Sequence, residues 1–504
     1  MLKFLLYPVL SFLVVAVHAQ VNAPEKYQKV QMGQLVNSEV NEISPLISPD
    51  GKTLYFVRVN HPQNTYGNKC KKDICSQDIW YSELMSDGRW SEARRMDEPF
   101  NTGEFNSVIN ISPDGNKLLV RGGFEDGKYE PYSLAISKRN RDGWTIPQKL
   151  NIENYDKMNK GMFDGGCFAN NDKVLILFFS EKKNDKKVHL YVSFLKDDNV
   201  WSQPVDLGKT VNKSNQITPF MASDGVTLYF SSDMDGGLGR NDIYMTRRLD
   251  ETWLKWTEPQ NLGGSINTDG WEGYYSIDAK GEYGYMVSTK NTRGLADIVK
   301  IKLKEENKPN PVAYLRGNVS CVSTQEQLRD AEVSFECLNE LKNMGGAGTN
   351  PSNGEFKLMV PCGKEFGILA MVPGYYPISQ YLDLSKDVKY KEVSLNVQMV
   401  KIQVGNAVPL TNIFFGEGRS NVRYESFLEL NRLAKFMESN EHAVIEIFSP
   451  RKEIEKNAEL SLNRQKAIVS YLISKGIKES RVVISEQESD GIYADSFHFV
   501  IKSL

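Results

Sequence analysis

A stretch that recurs along a chain limits its fold more tightly than composition does, and residues 215–267 are the stretch that recurs here. They read NQITPFMASDGVTLYFSSDMDGGLGRNDIYMTRRLDETWLKWTEPQNLGGSIN. Two runs of alternating apolar residues flank a turn at Ser223, Asp224 and Gly225. A third run covers Ile243 to Thr246, and a fourth lies between Trp256 and Leu262, closed by Gly263 and Gly264. Short alternating runs punctuated by Asp-Gly and Gly-Gly specify four β-strands. One sheet of four short strands cannot bury both its faces alone, so it needs copies of itself.

The copies are present. The turn recurs as Ser48-Pro49-Asp50-Gly51, as Ser112-Pro113-Asp114-Gly115, in weaker form as Asn170-Asn171-Asp172, and as Asp278-Ala279-Lys280-Gly281. The spacing of roughly fifty to sixty residues is that of four-stranded propeller blades with long loops. The third strand recurs as Asp78-Ile79-Trp80, Asp242-Ile243-Tyr244 and Asp297-Ile298-Val299, with Pro131-Tyr132 and His189-Leu190-Tyr191 as degraded copies. The fourth is marked by a Trp and an Asn ten or eleven positions later: Trp90 and Asn101, Trp144 and Asn154, Trp201 and Asn212, Trp256 and Asn267.

One fourth strand is missing from that series, and the start of the chain supplies it. Met32-Gly33-Gln34-Leu35-Val36-Asn37 has the spacing of Leu207-Gly208-Lys209-Thr210-Val211-Asn212, so residues 27–37 are predicted to give the last blade its outer strand. The expectation is a five-bladed β-propeller over residues 20–305, closed by its two ends, which removes the unpaired edges of an open array.

Ahead of it, Lys3 precedes an apolar run from Phe4 to Val17, with Val17 and Ala19 before Gln20: the pattern of a secretory signal peptide over residues 1–19. No Cys follows the cleavage point, which argues against a lipoprotein anchor, and no later stretch is apolar enough to span a bilayer. The net charge of −3 without a basic run gives no reason to expect nucleic acid as a partner.

The segment KLKEENKPNP, Lys302 to Pro311, reads as a linker by composition. Residues 312–400 then alternate like several short strands, which points to a small β-sandwich. Gly317-Asn318-Val319, Asn353-Gly354-Glu355-Phe356 and Gly374-Tyr375 make this segment resemble the carboxypeptidase regulatory-like, or transthyretin-like, domain. That resemblance implies a spacer or interaction module and carries no peptidase chemistry.

Residues 405–504 change character. A strand is predicted at Asn412 to Phe415, and a helix from about Tyr424 to Ser439 with Phe427, Leu430, Leu433, Ala434 and Met437 on one face. A strand follows at Val444 to Ile447. A second helix from about Asn457 to Ser474 turns Leu460, Ala467, Ile468, Tyr471 and Leu472 inward and stops at Gly476. Strands at Arg481 to Ile484 and Phe497 to Ile501 end the chain. This order fits one mixed sheet with helices against it. The spacing Asn457-x-x-Leu460-Ser461-x-x-Arg464, with Ile413-Phe414-Phe415, Glu429, Leu430, Leu433 and Lys475-Gly476-Ile477, resembles the peptidoglycan-associating domain of the outer-membrane protein A (OmpA-like) family. The whole arrangement resembles Bacteroidetes envelope proteins with a TolB-like, WD-type propeller, including a periplasmic component associated with type IX secretion, whose additional helical-repeat region this chain lacks.

The OmpA-like resemblance implies a site for diaminopimelate, with an Asp taking the ammonium group and an Arg a carboxylate through a charge-assisted fork. Arg464 stands at the Arg position. At the Asp position Phe448-Ser449-Pro450-Arg451-Lys452 replaces the family's Gly-His-Thr-Asp, and Arg451 and Lys452 would repel an ammonium group. Glu453 is the candidate substitute, and Tyr493-Ala494-Asp495 stands where the family has an Asn-Arg-Arg run. The peptidoglycan-binding residues implied are therefore Arg464, Glu453 and Asn457.

Catalytic constellations are missing from the sequence: it has no Gly-x-Ser-x-Gly elbow and no His-Glu-x-x-His, and its five histidines, among them His61, His189, His442 and His498, are scattered. Asp233-Met234-Asp235-Gly236-Gly237 is a fragment of a calcium loop with too few ligands. Neither a metal site nor a cofactor is expected. Six cysteines in an exported chain permit disulfides. Cys70 and Cys75 are close enough to pair within one loop, a second pair is expected among Cys321, Cys337 and Cys362, with Cys321 and Cys337 the candidates, and Cys167 reads as a buried thiol. The functional expectation is a non-catalytic periplasmic, outer-membrane-associated scaffold that holds envelope proteins through its propeller loops. The alternatives are a peptidoglycan anchor and, third, a glycan-binding or hydrolytic propeller, which would call for a cleft with convergent carboxylates.

Overall fold

The computed structural model describes residues 27–67, 76–169, 173–183, 187–196, 199–290, 292, 296–485 and 491–504. The expected signal segment at 1–19, Cys70, Cys75 and the expected turn at 170–172 lie outside the described residues.

Five four-stranded antiparallel sheets account for residues 30–302. The first comprises Asn41–Ile47, Thr53–Val59, Gln77–Glu83 and Arg94–Arg95; the second Ser107–Ile111, Lys117–Glu125, Lys128–Lys138 and Gln148–Lys149. The third comprises Gly165–Ala169, Val174–Phe179, His189–Phe194 and Val205–Asp206; the fourth Gln216–Met221, Thr227–Ser232, Asp242–Arg247 and Gln260–Asn261. The fifth joins Glu272–Ile277, Tyr283–Ser288 and Asp297–Lys302 to the early strand Val30–Gln31, with Val30 opposite Lys300. The opening strand of each sheet lies beside the opening strands of the sheets before and after it, and that of the fifth returns to that of the first. The sheets thus form a closed, propeller-like ring. Their second strands are apolar on both faces, as in Val174–Phe179, because each is covered by a sheet on either side.

The sequence markers have physical roles in this ring. The Trp of each repeat pairs with the residue just after the third strand, closing the outer hairpin: Trp90 with Leu84, Trp144 with Arg139, Trp201 with Leu195, Trp256 with Arg248. The Asn farther on reaches back across the sheet and takes both backbone groups of one third-strand residue. Asn267 Oδ1 accepts from Ile243 N at 2.7 Å while its Nδ2 donates to Ile243 O at 3.0 Å. Asn101 does the same to Ile79, Asn212 to Leu190 and Asn37 to Ile298. Asn154 is the exception, facing solvent in a left-handed conformation and donating to Gln203. The Asp that opens the third strand pins the preceding loop: Asp78 accepts from Thr65 N at 2.7 Å, and Asp242 from Gly239 N at 3.1 Å.

The segment 302–311 is held in place, contrary to its reading as a linker. A turn of 3-10 helix at Glu305–Asn307 buries Asn307, whose carbonyl accepts from Tyr229 Oη at 2.8 Å, and Arg247 donates to Asn310 Oδ1 at 2.9 Å and Lys308 O at 3.0 Å. Polar composition made it resemble a spacer, but these polar groups are the ones that dock it.

Beyond it two sheets share one core. The first has the order Glu355–Pro361, Val312–Cys321, Val397–Lys401, Tyr375–Tyr376, with Lys391–Ser394 also paired to Val312–Cys321; the second runs Lys342–Gly348, Glu332–Cys337, Glu365–Met371, Ile378–Asp383. The last layer is a mixed sheet in the order Ala407–Pro409, His498–Ser503, Val444–Phe448, Val482–Ile484, with helices at Phe427–Ser439 and Ala458–Ser474. Two expectations are corrected here. The opening strand lies at Ala407–Pro409, and Asn412 to Phe415 is no strand of the sheet: Asn412 sits in a turn, its Nδ2 donating to Ser379 Oγ at 2.8 Å, and Phe415 makes an isolated bridge to Val422. The second helix buries Ser461, Gln465, Ile468, Val469 and Leu472, because Gln465 Nε2 reaches the Ile447 carbonyl at 3.0 Å and turns that face to the sheet.

The sandwich and this layer share a continuous core, with Tyr376 edge-on to Phe436 and Phe499 at 5.4 and 5.2 Å between ring centroids. Across the same seam buried Arg432 bonds Glu336 of the sandwich and, at 2.7 Å, Glu429 of its own helix. Two carboxylates on one guanidinium leave excess negative charge out of water. Burial, reinforced by the Glu336 carboxylate and opposed by Arg432, pushes Glu429 up to about 7.

Two outcomes are expected. Asn267→Ala leaves the Ile243 N–H and C=O without partners in a buried place and should lower the unfolding free energy by about 2–4 kcal/mol, read from the urea midpoint. Asn154→Ala, at the solvent-facing copy, should stay within about 0.5 kcal/mol. Glu429 keeps its proton in the folded chain where an unfolded glutamate has lost it. Its stabilising contribution is thus complete below the ordinary carboxylate range and disappears as pH rises through about 7. Glu429→Gln should therefore raise stability near pH 8 by on the order of 2 kcal/mol and change it little below about pH 4.5. Glu42, pushed to about 7 mainly by burial, adds a slope of the same sign that this variant retains.

Candidate functional site

Two places in the molecule bring polar side chains together in a way that bears on function. The first is the Arg464 cluster that the sequence pointed to. Asn457 caps the last helix, its Oδ1 accepting from Leu460 N at 3.0 Å. That cap gives Asn457 a structural role at the start of the helix. Residues Arg451–Lys456 form a short helix that places Glu453 against Arg464. Arg464 Nη1 donates to Glu453 Oε1 at 2.6 Å, Nη2 to Gly416 O at 3.1 Å and Nε to Arg419 O at 3.0 Å, and the guanidinium lies over the Phe415 ring, 4.8 Å from its centroid. The Arg464 side chain is only 12 % exposed. Every nitrogen of the fork has an internal acceptor and its charge is met by Glu453 at contact distance. Lys452 points elsewhere, to Asp495 at 3.2 Å, and Phe448 stacks on His498 with centroids 5.0 Å apart.

The second place, which sequence reasoning did not single out, is the cavity inside the ring. The turns after the opening strands face the sandwich, where Asp50 meets Lys357 at 3.4 Å and Asn116 donates to Gly348 O at 3.2 Å. The beginnings of the same strands line a funnel of about 1060 Å³ on the opposite side. Its wall carries Phe105, Tyr132, Met162, Phe163, Trp271 and Tyr274 among apolar backbone-rich segments, with amides from Gln77, Asn159, Asn215 and Asn241. Among the described residues that line it, Asp164 is the one carboxylate and Arg121 the one guanidinium. They meet at 2.5 Å, and Asp164 also accepts from Tyr155 Oη at 2.7 Å and Asn159 Nδ2 at 2.8 Å.

Four opening strands break their register at this wall, between Ile43 and Leu46, Val108 and Asn110, Ile217 and Phe220, and Gly273 and Ser276. Three of these breaks hold a residue with left-handed backbone: Ser44 at φ 54°, Thr218 at 47° and Tyr274 at 52°. The Ser-Pro and Thr-Pro pairs in two of these strands were the available sequence signal, although proline alone does not report a bulge. Asp233, in the fragment that resembles a calcium loop, accepts from Asn215 N at 2.9 Å and Nδ2 at 2.7 Å and so serves to pin a neighbouring strand.

The expected Cys321–Cys337 pair is not formed: both thiols are buried and free, as are Cys167 and, partly buried, Cys362. Val312–Cys321 and Glu332–Cys337 belong to different sheets and run so that their last residues fall at opposite ends of the sandwich. Val312, not Cys321, lies across from Pro361, and Cys337 lies across from Phe366 just beyond that corner. A disulfide needs Cα atoms within about 7 Å, which this topology denies.

No protein-family model matches the chain, and no curated protein matches it. Solved structures that resemble it include an α-L-arabinofuranosidase from Podospora anserina in complex with cellotriose, 14 % identical over 56 % of this chain and 98 % of that one, with a TM-score of 0.37. A Trypanosoma rangeli sialidase in complex with the inhibitor DANA is 11 % identical over 72 % of this chain and 89 % of its own, with a TM-score of 0.34. Likeness at these scores carries nothing about chemistry. Among the described residues no helix is long and apolar enough to cross a membrane.

Alkylation of the unreduced, denatured chain is expected to modify both Cys321 and Cys337. Recovery of a peptide pair linked through them, by mass spectrometry, would contradict the free thiols.

Proposed function

We propose that this chain is a non-catalytic scaffold of a Gram-negative envelope, periplasmic and associated with the outer membrane. In this reading residues 20–305 are a five-bladed β-propeller that presents its open face to partners. Residues 312–400 are a sandwich that spaces it, and 405–504 are an OmpA-like module that has kept its fold and altered its pocket. The leader over residues 1–19 supports export. The observation that carries the binding reading is the pairing of Arg121 with Asp164: the one carboxylate among the described residues of the funnel wall is held by a guanidinium, a phenol and an amide. Glycoside hydrolysis by the usual route needs two carboxylates flanking the bond, one of them free to give a proton. The wall offers neither condition, which favours holding a partner over cleaving it.

The second reading, an anchor gripping diaminopimelate with Arg464 and Glu453, draws support from the two residues being side by side. It is disfavoured by what Arg464 already does. A ligand carboxylate would have to displace Glu453 from 2.6 Å and leave that acid half-buried without its partner.

Pelleting of the purified chain with peptidoglycan sacculi separates the two. The scaffold reading expects retention, if any, to be the same for Arg464→Ala as for the parent; retention that disappears with Arg464→Ala establishes the anchor instead. Affinity capture from envelope extracts should enrich discrete envelope proteins, and Phe163→Asp at the rim should reduce that enrichment severalfold. Enrichment that ignores the rim would remove the propeller face from the proposal.

A further inference from the structure

We infer that the funnel of the ring binds a neutral oligosaccharide. The inference rests on the reading of the ring as a binding module and names the class of molecule it holds.

Among the described residues the wall is electrically neutral: the one acid and the one base that line it, Asp164 and Arg121, bond each other, and the remaining polar groups named above are amides and hydroxyls. A charged ligand would lose its hydration there and find no countercharge. A wholly apolar ligand would leave the wall's amides without partners. Asn159, on that wall, donates its Nδ2 to Asp164 at 2.8 Å.

Ring faces supply the other half. Phe105 and Tyr132 stack with centroids 6.4 Å apart and planes at 29°, and Tyr132 is 68 % exposed. On another side of the funnel, Trp271 and Tyr274 form a second aromatic pair at 5.8 Å. Phe163, 69 % exposed, stands on the rim. A pyranose presents flat C–H faces to such rings and a girdle of hydroxyls to amides, which donate and accept in pairs. A polypeptide segment of mixed sequence has the rings but brings charged side chains that this wall does not answer.

The backbone argues that the site is built rather than incidental. Thr218 and Tyr274 are branched or bulky residues held at positive φ, a conformation that costs on the order of 1–3 kcal/mol each and clusters at ligand sites. Thr218 Oγ1 accepts from Tyr274 N at 3.2 Å, tying one bulge to the next. The bulges turn Tyr274 out of strand register at the floor of the funnel.

Calorimetric titration of the full chain with neutral oligosaccharides of glucose, xylose, mannose and N-acetylglucosamine is expected to give saturable binding for at least one. Tyr132→Ala, at a position 68 % exposed, should weaken it about tenfold, as loss of a stacking ring does, and Trp271→Phe, which keeps a smaller ring, should weaken it less, by a few-fold. Binding unchanged in the Tyr132→Ala Trp271→Phe double variant overturns the inference. So does saturation by an unstructured peptide with no saccharide bound. If no saccharide binds while rim-dependent capture of envelope proteins persists, the inference falls and the scaffold reading stands. If both fail, both fall.

Discussion

The buried asparagine that takes the N–H and the C=O of a single third-strand residue is the contact on which the ring depends. Each outer strand ends at the perimeter, and the next opening strand must begin at the centre, so the chain has to cross the sheet it has just completed. A crossing over a sheet face exposes backbone groups that no ladder can satisfy. Asn37, Asn101, Asn212 and Asn267 solve this with one side chain each, matching donor to acceptor and acceptor to donor. They therefore fix where the following opening strand starts, and those starts are the funnel wall. Where the device is absent, at Asn154, a short helix at Tyr155–Met158 and an extended loop appear, and that loop carries Met162, Phe163 and Asp164 over the mouth.

Charge is handled alike at three separate places. Arg121 with Asp164, Arg432 with Glu336 and Glu429, and Arg464 with Glu453 are all wholly or partly buried and all paired at contact distance. Such pairs add little net stability compared with apolar packing, yet breaking one is costly, so they act as fixed joints. The consequence differs with location. Among the described residues of the funnel it leaves a neutral wall, at the seam it ties two modules across a shared core, and in the last module it occupies the Arg464 guanidinium.

Much of the ring was legible in the sequence because its signals are local. Alternation, Asp-Gly turns and the Trp-to-Asn interval fall within single sheets, and the outer strand at residues 30–31 was readable from the match of Met32–Asn37 to Leu207–Asn212. What the residues concealed were choices made by distant neighbours. Asn412 to Phe415 has the apolar run of a strand, but Ser379, from another sheet, draws Asn412 into a turn. Lys302 to Pro311 has the composition of a spacer, but Tyr229 and Arg247 await it. Cys321 and Cys337 are near in sequence and far apart in space because a strand separates them. The funnel was not visible at all, since it is made from one short piece of each of five sheets, none distinctive alone. At Arg464 the residues could be named, but whether Glu453 would face a ligand or the arginine itself depended on a six-residue helix whose sequence, RKEIEK, looks like loop and helix equally.

The early strand Val30–Gln31 also sets a timetable. Its partner, Asp297–Lys302, leaves the ribosome only after almost the entire ring has been synthesised. Until then the opening strand of the first sheet has no neighbour on one side, and the nascent chain carries raw hydrophobic flanks at both ends of an unfinished circle. Closure of the circle thus requires both ends of the ring segment, residues 30–31 and 297–302, to be in place at once.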